Sequence, residues 1–378
     1  ARAISIDKDG DLYVTGQFSG TVDFDPGTGT TNLTSNASNQ DVFVSKFDSN
    51  GGLIWAKSLG GTDFEQARGI SVDTFGNVYT IGNFAGTADF DPSAATANLT
   101  AVGNYDIFIA KYDTSGNYLW AKAVGSTGTE SATAIALDAS GQVHITGIFG
   151  GTADFNPSAA AANLTSVGNI DIFIAKYDTD GNYLWAKAMG GTLDDIAYSL
   201  TLNNSGQIYI AGRFGGTADF DPSTGIANLI STGSQDVFLA KYDTDGNYIW
   251  AKAIGGSSLD NATAIALDSS DQIFITGFFA GTVDFDPSVG TVNFTSAGNN
   301  DIFLAKFDSN GNLIYARRMG GTSNEQGNSL AVDAAGNVYL TGRFVGTADF
   351  DPGAGTANLF SVSGSTDIFI AKYDAGGN

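Results

Sequence analysis

The chain has 378 residues, 50 of them glycine and none cysteine, and 40 acidic residues against 17 basic ones give a formal charge of −23. That balance excludes nucleic acid, which is held by Lys and Arg on phosphates, and equally an anionic membrane surface. The absence of cysteine excludes disulfides, thiolate metal sites and cysteine nucleophiles, and no apolar run approaches the ~18 residues of a membrane helix.

A short stretch sets the period. Asp-Phe-Asp-Pro, with Asn for the second Asp in one copy, begins at Asp23, Asp89, Asp154, Asp219, Asp284 and Asp349, at spacings of 66, 65, 65, 65 and 65 residues. These copies hold all six prolines. An internal repeat of this length points to a stacked or closed array of one supersecondary unit.

Residues 132–196 illustrate the unit. Residues 132–138 and 143–149 alternate apolar and polar positions around an Asp-x-x-Gly turn, which predicts a β-hairpin of a first and a second strand. An insert from Gly150 to Ile170 follows and carries the Asp-Phe-Asn-Pro copy. Residues 171–178 and 183–188 form a second hairpin, the third and fourth strands, before Gly190-Gly191-Thr192 leads to the next unit. No segment shows a sustained helical period. Four strands per unit at a fixed interval predict an all-β fold, a six-bladed β-propeller of four-stranded antiparallel blades. The domain spans 1–378, with repeats at about 1–66, 67–131, 132–196, 197–261, 262–326 and 327–378. The last blade lacks its outer strand, because the chain stops at Asn378 where that strand should begin. A longer natural protein would allow a seventh blade. The start at Ala1, without Met, points to a mature form or a fragment.

The segments 69–82 (Gly-Ile-Ser-Val-Asp-Thr-Phe-Gly-Asn-Val-Tyr-Thr-Ile-Gly), 171–182 and 185–192 resemble the bacterial β-propeller repeat called SBBP, over essentially the whole chain. The insert makes this unit longer than the short form of that family. The resemblance implies the fold and an extracellular or outer-cell-surface setting, without a common activity. A likeness to NHL-type blades implies that the first strand is innermost.

Chemistry is expected where loops are presented by a rigid scaffold. The insert and the loop before the next first strand share one end of the blade. Asp23, Asp89, Asp154, Asp219, Asp284 and Asp349 recur without an obvious cap role and are candidate Ca²⁺ ligands. The second Asp of each motif precedes proline and reads as a turn cap, because Asn156 replaces it once. Glu65, Glu130, Asp195, Asp260 and Glu325 precede the first strands and would ring the mouth of an axial channel, or cap the loops they stand in. Lysines at one third-strand position, Lys46 to Lys372, read as between-blade ion pairs, and the fourth-strand tryptophans as packing between blades. The only histidine, His144, stands where other copies have Tyr or Phe and reads as packing. Gln17, Asn83, Ile148, Arg213, Phe278 and Arg343 vary between an unchanging Gly and Phe, as an exposed interaction position would.

Together these readings describe a non-catalytic scaffold or adhesion module that meets a protein or glycan at the cell surface, with calcium bracing its acidic face. The alternatives are a glycan-binding module and a polysaccharide-cleaving enzyme. The open strand edge of the last blade would also allow self-association.

Overall fold

A computed structural model describes residues 1–36 and 39–378. The contacts group into two compact units, Ala1–Ala188 and Met189–Asn378. Among the described residues, the regular structure is β apart from the short 3₁₀ turn Val362–Gly364.

In the first unit the second repeat shows the pattern. Glu65–Val72, Val78–Phe84, Asp106–Tyr112 and Tyr118–Val124 form one antiparallel sheet in chain order, a blade-like meander. The first and second strands meet at a turn in which Asp73 Oδ1 accepts the backbone N–H groups of Phe75 and Asn77, each at 2.9 Å. This is why Asp opens the turn in the sequence. The second strand is buried along its whole length. Alternate residues face opposite sides, so a strand apolar on both faces must be covered on both. Tyr79, Ile81, Ile107 and Ile109 pack against Ala132, Val143 and Ile145 of the third repeat. The core therefore lies between consecutive sheets, and each such aliphatic side chain contributes about 1.5–3 kcal/mol.

The second unit repeats this plan. Ile302, Leu304 and Met319 of the fifth repeat pack on Val338, Leu340 and Phe344 of the sixth. The sixth repeat's sheet has three strands, Gln326–Val332, Val338–Val345 and Thr366–Tyr373.

The inserts are small hairpins that strap neighbouring repeats together. Thr87–Asp89 pairs with Asn98–Thr100, and also with the end of the preceding fourth strand through Gly60↔Asp89 and Gly61↔Ala88. Gly255↔Asp284 and Gly320↔Asp349 do the same in the second unit. The insert phenylalanine is the anchor. Phe90 lies edge-on to Phe84 at 5.6 Å and tilted over Phe108 at 4.9 Å. Its carbonyl accepts the Tyr112 hydroxyl at 2.9 Å. Tyr112 ends the third strand, so the insert does not simply crown the end where it begins. It folds back along the face of the sheet that packs on the preceding repeat, where Phe90 is buried with Val42, Val44 and Leu59. The third repeat's insert reaches its own repeat's turn, where Asn156, Pro157 and Ser158 border a cleft of about 250 Å³ with Lys122, Asn182 and Tyr183.

A second strap uses the fourth strand. Trp55 Nε1 donates to Thr114 O at 3.2 Å, and Trp120 Nε1 to Thr179 O at 3.1 Å, each in the next repeat's turn. The turn glycine lies against the indole. A Cβ on Gly181, whose φ is +75°, would meet Trp120 Cζ3 at 2.8 Å. In the sixth repeat the same turn is held by Arg317, which donates to Gly377 O at 3.1 Å and Gly376 O at 2.7 Å.

Candidate functional site

The first Asp of each insert has a backbone role. Asp89 Oδ1 accepts Asp91 N at 3.0 Å and Ala97 N at 2.8 Å, tying together both arms of the insert hairpin. Asp23, Asp154, Asp219, Asp284 and Asp349 hold the equivalent pair of N–H groups, each with one at 2.8 Å. The second carboxylate caps the following turn: Asp91 Oδ1 accepts Ser93 N at 2.9 Å, and Asn156 does the same for Ser158 at 3.0 Å. An amide oxygen serves as well here, which explains the Asn copy. Among the described residues, no three Asp, Glu or His side chains converge as a metal-ligand group.

The acids before the first strands are not an exposed ring. Glu65, Asp195, Asp260 and Glu325 are 0% exposed and Glu130 1%. Each turns back onto its own loop. Glu65 Oε2 accepts Gly61 N at 3.2 Å, Glu130 accepts Ser126 N at 3.1 Å, and Glu325 accepts Gly321 N at 2.9 Å. Asp195 and Asp260 hold two amides apiece, from Gly191 and Gly215, and from Gly256 and Ala280. Backbone amides thus hold these carboxylates in the interior.

Sequence reasoning missed their neighbours. Asp41, Asp106, Asp171, Asp236 and Asp301, which open the third strands, are also at most 2% exposed. Asp41 accepts Asn36 N at 2.9 Å and Asp106 accepts Val102 N at 3.0 Å. In the first unit, a Cβ on Gly60 would sit 2.7 Å from Asp41 Cγ and 2.9 Å from Glu65 Oε2, so glycine lets the two acids converge. Burial, with the Asp41 charge adding to it, pushes the Glu65 carboxyl up to about 8 against the pull of the Gly61 amide. Burial likewise pushes Asp260 up to about 7. Paired acids in the Gly-Gly-x-x-x-acid loop were the available signal, but a formal charge suggests solvent.

The third-strand lysines divide into two arrangements. Lys46 pairs with Asp11 at 3.0 Å and Lys176 with Asp138 at 3.2 Å, both within one repeat. Lys111 instead donates to Thr179 O of the next repeat at 3.1 Å. Most lie over the second-strand aromatic ring, as Lys46 does over Tyr13 at 4.9 Å. His144 is 0% exposed, 3.3 Å from Asp138 and edge-on to Trp185. Burial and the Lys176 charge bring it down to about 4 despite Asp138, so it is neutral packing at pH 7.

The varying second-strand position is less open than its sequence implies. Asn83 and Phe278 are buried, Gln17, Ile148 and Arg213 half-buried, and Arg343 exposed. Asn83 shows why: it donates to Glu130 O at 2.6 Å and accepts the Ser131 hydroxyl at 3.0 Å, in the next repeat's first strand. A second varying column lies 15 residues earlier in every repeat: Arg2, Arg68, Thr133, Tyr198, Thr263 and Asn328. From the second repeat on, these are extra residues at a bulge in the first strand. Arg2, Arg68 and Asn328 are exposed and the rest half-buried. Bulges re-aim side chains. The two columns meet, with Arg2 Nε 3.4 Å from Gln17 Oε1 and Arg213 over the Tyr198 ring at 5.7 Å. They carry four of the six arginines of this acidic chain.

No family model matches the chain. It is similar to the WD repeat-containing protein L264 of Acanthamoeba polyphaga mimivirus, 25% identical over 421 residues that cover 93% of this chain and 30% of that protein. It is also similar to regulatory protein FlaEY of Caulobacter vibrioides, 25% identical over 258 residues, covering 65% of this chain and 26% of that one. The chain thus spans less than a third of the length of either relative. A crystal structure of a Bacteroides caccae protein aligns over 96% of this chain and 91% of its own, at 8% identity and a TM-score of 0.41. No helix among the described residues is long and apolar enough to cross a membrane.

Proposed function

We propose that the six repeats are six blades of a β-propeller of the SBBP type, and that the chain is a non-catalytic interaction module working at the cell surface or outside the cell. Its recognition residues are the exposed and half-buried positions of the two varying columns, and its partner is a protein or a glycan. The observation that carries this reading is the contrast between frame and columns. Acids recur in every repeat with the same backbone partners, whereas Arg2, Arg68, Tyr198, Arg213, Asn328 and Arg343 differ in a fixed frame. Glycoside hydrolysis needs two carboxylates with different environments at one place. Here each acid has counterparts tied to amides in the other repeats. Loops and bulges that vary on a rigid scaffold are where binding specificity resides.

The test is a panel of surface polysaccharides and surface-protein fractions, scored for binding and for intact recovery of the ligand. Saturable binding with the ligand recovered whole is expected. Release of fragments would replace this reading with the enzymatic one. Calcium bracing of the inserts is a separable part of the proposal. A selective rise in melting temperature with Ca²⁺ over Mg²⁺ would support it, and an unchanged melt would remove it.

A further inference from the structure

One boundary between repeats lacks an acid that the corresponding places carry. The cleft of about 250 Å³ in the first unit is lined by Lys122 of the second repeat and by Asn156, Pro157, Ser158, Asn182 and Tyr183 of the third. Where the third insert has Asn156, the other copies have Asp25, Asp91, Asp221, Asp286 and Asp351. The boundary one repeat earlier gives the most direct comparison. Lys57, Pro92, Ser93, Asn117 and Tyr118 reproduce the lining, and Asp91 alone departs from it.

The exchange changes what the cleft can hold. Asn156 Oδ1 accepts Ser158 N at 3.0 Å, as Asp91 Oδ1 accepts Ser93 N at 2.9 Å. The backbone task is the same, so the difference lies in the other terminal atom. It is an amide nitrogen that donates, in place of a carboxylate oxygen that accepts. Lys122 is half-buried and makes no ion pair among the described residues. The turn acid Asp178 is committed to its own loop, accepting Asp180 N at 2.9 Å, Asn182 N at 2.8 Å and Asn182 Nδ2 at 2.9 Å. The Tyr183 hydroxyl accepts Ala186 N at 3.0 Å, which leaves its proton to donate. The lining therefore offers an ammonium, an amide and two hydroxyls as donors. Its charge is one lysine to one acid, where the earlier boundary has Lys57 to two, Asp91 and Asp113. Tyr183 is held edge-on to Tyr177 at 6.3 Å and, with Pro157, gives the cleft an apolar wall. A cleft of this size lies below the range that holds drug-sized ligands and suits a single ring.

We propose that this cleft binds a uronic acid residue of an acidic glycan, its carboxylate held by Lys122 and Asn156. A uronic acid supplies both halves of the match, an anion for the donors and a sugar ring for the wall of Tyr183 and Pro157. None of the varying-column residues lines the cleft, so this site stands apart from the recognition columns.

Calorimetric titration of the 378-residue chain at low salt, with trisaccharides of galacturonate, glucuronate and mannuronate, tests this. At least one of them should bind at a single site, and its uncharged counterpart should bind about tenfold more weakly or worse. Asn156→Asp should weaken binding by a similar factor with the melting temperature unchanged, because Asp caps the same turn in the other copies. Asp91→Asn should do the converse and raise the number of sites from one to two. Absence of binding to all three uronates would overturn the proposal, as would equal binding of the uncharged sugar or of a glutamate tripeptide. So would an Asn156→Asp variant of unaltered affinity, or an Asp91→Asn variant that still has one site.

Discussion

Asp89 and Asp91 sit two apart and do different work. Asp91 caps one turn, a local task that its place before proline made legible, and Asn156 marked it as replaceable by an amide. Asp89 joins residues two and eight positions ahead, and the second of those links depends on a hairpin that the sequence does not announce. Replacing Asp89 with Ala leaves two backbone N–H groups without an acceptor and should cost about 1–3 kcal/mol. Asp89→Asn keeps an acceptor oxygen and should cost much less, in urea or thermal melts. Glu65 gives the pH dependence. Its ordinary value is 4.5 and its folded value about 8. Between these, the folded state holds a proton that the unfolded chain has released, so stability falls as pH rises through that window. Asp260, raised from 3.8 to about 7, adds to the fall. His144 acts in the opposite sense, but only between 6.5 and about 4. The melting temperature should therefore decline from pH 6.5 to 8.5. Glu65→Gln, which keeps an acceptor for Gly61 and removes the charge, should flatten that decline. A melting temperature that rises over this range would contradict the burial of the acids.

At the level of elements, the strands and their order were legible because alternation, Asp-x-x-Gly turns and the 65-residue period agree with one another. The insert was not. Its length was visible, but its course between neighbouring repeats is set by Phe90 packing on Phe84 and Phe108 and by the Tyr112 hydroxyl, contacts that span up to 22 residues. The tryptophan strap was half legible: packing between repeats was expected, but not the indole N–H reaching a turn carbonyl 59 residues on. The turn glycine is essential to this strap twice over, through its φ of +75° and its contact with the ring. Gly181→Ala should destabilise the first unit by about 2 kcal/mol or more, from a left-handed backbone conformation plus overpacking. Gly141→Ala, with the same φ but its nearest neighbour at 3.4 Å, should cost less. The difference between the two melts isolates the contact.

Across the whole molecule, a repeated frame separates stability from recognition. The frame uses acids as hydrogen-bond acceptors, and this explains how a chain of charge −23 buries so many carboxylates. The varying positions sit on the first and second strands. One column was legible from the sequence as a residue that changes between Gly and Phe. The other was hidden, because a bulge interrupts the alternation that would have exposed it. The most direct measurement compares one residue from each set against whichever ligand the binding panel yields. Arg343→Ala and Arg68→Ala, both at exposed column positions, should weaken binding at least tenfold with the melting temperature unchanged, whereas Glu65→Gln should alter the pH profile of melting and leave affinity alone. The opposite pattern, in which the column variants bind normally and one acid variant abolishes binding or a turnover, would contradict the division between frame and recognition.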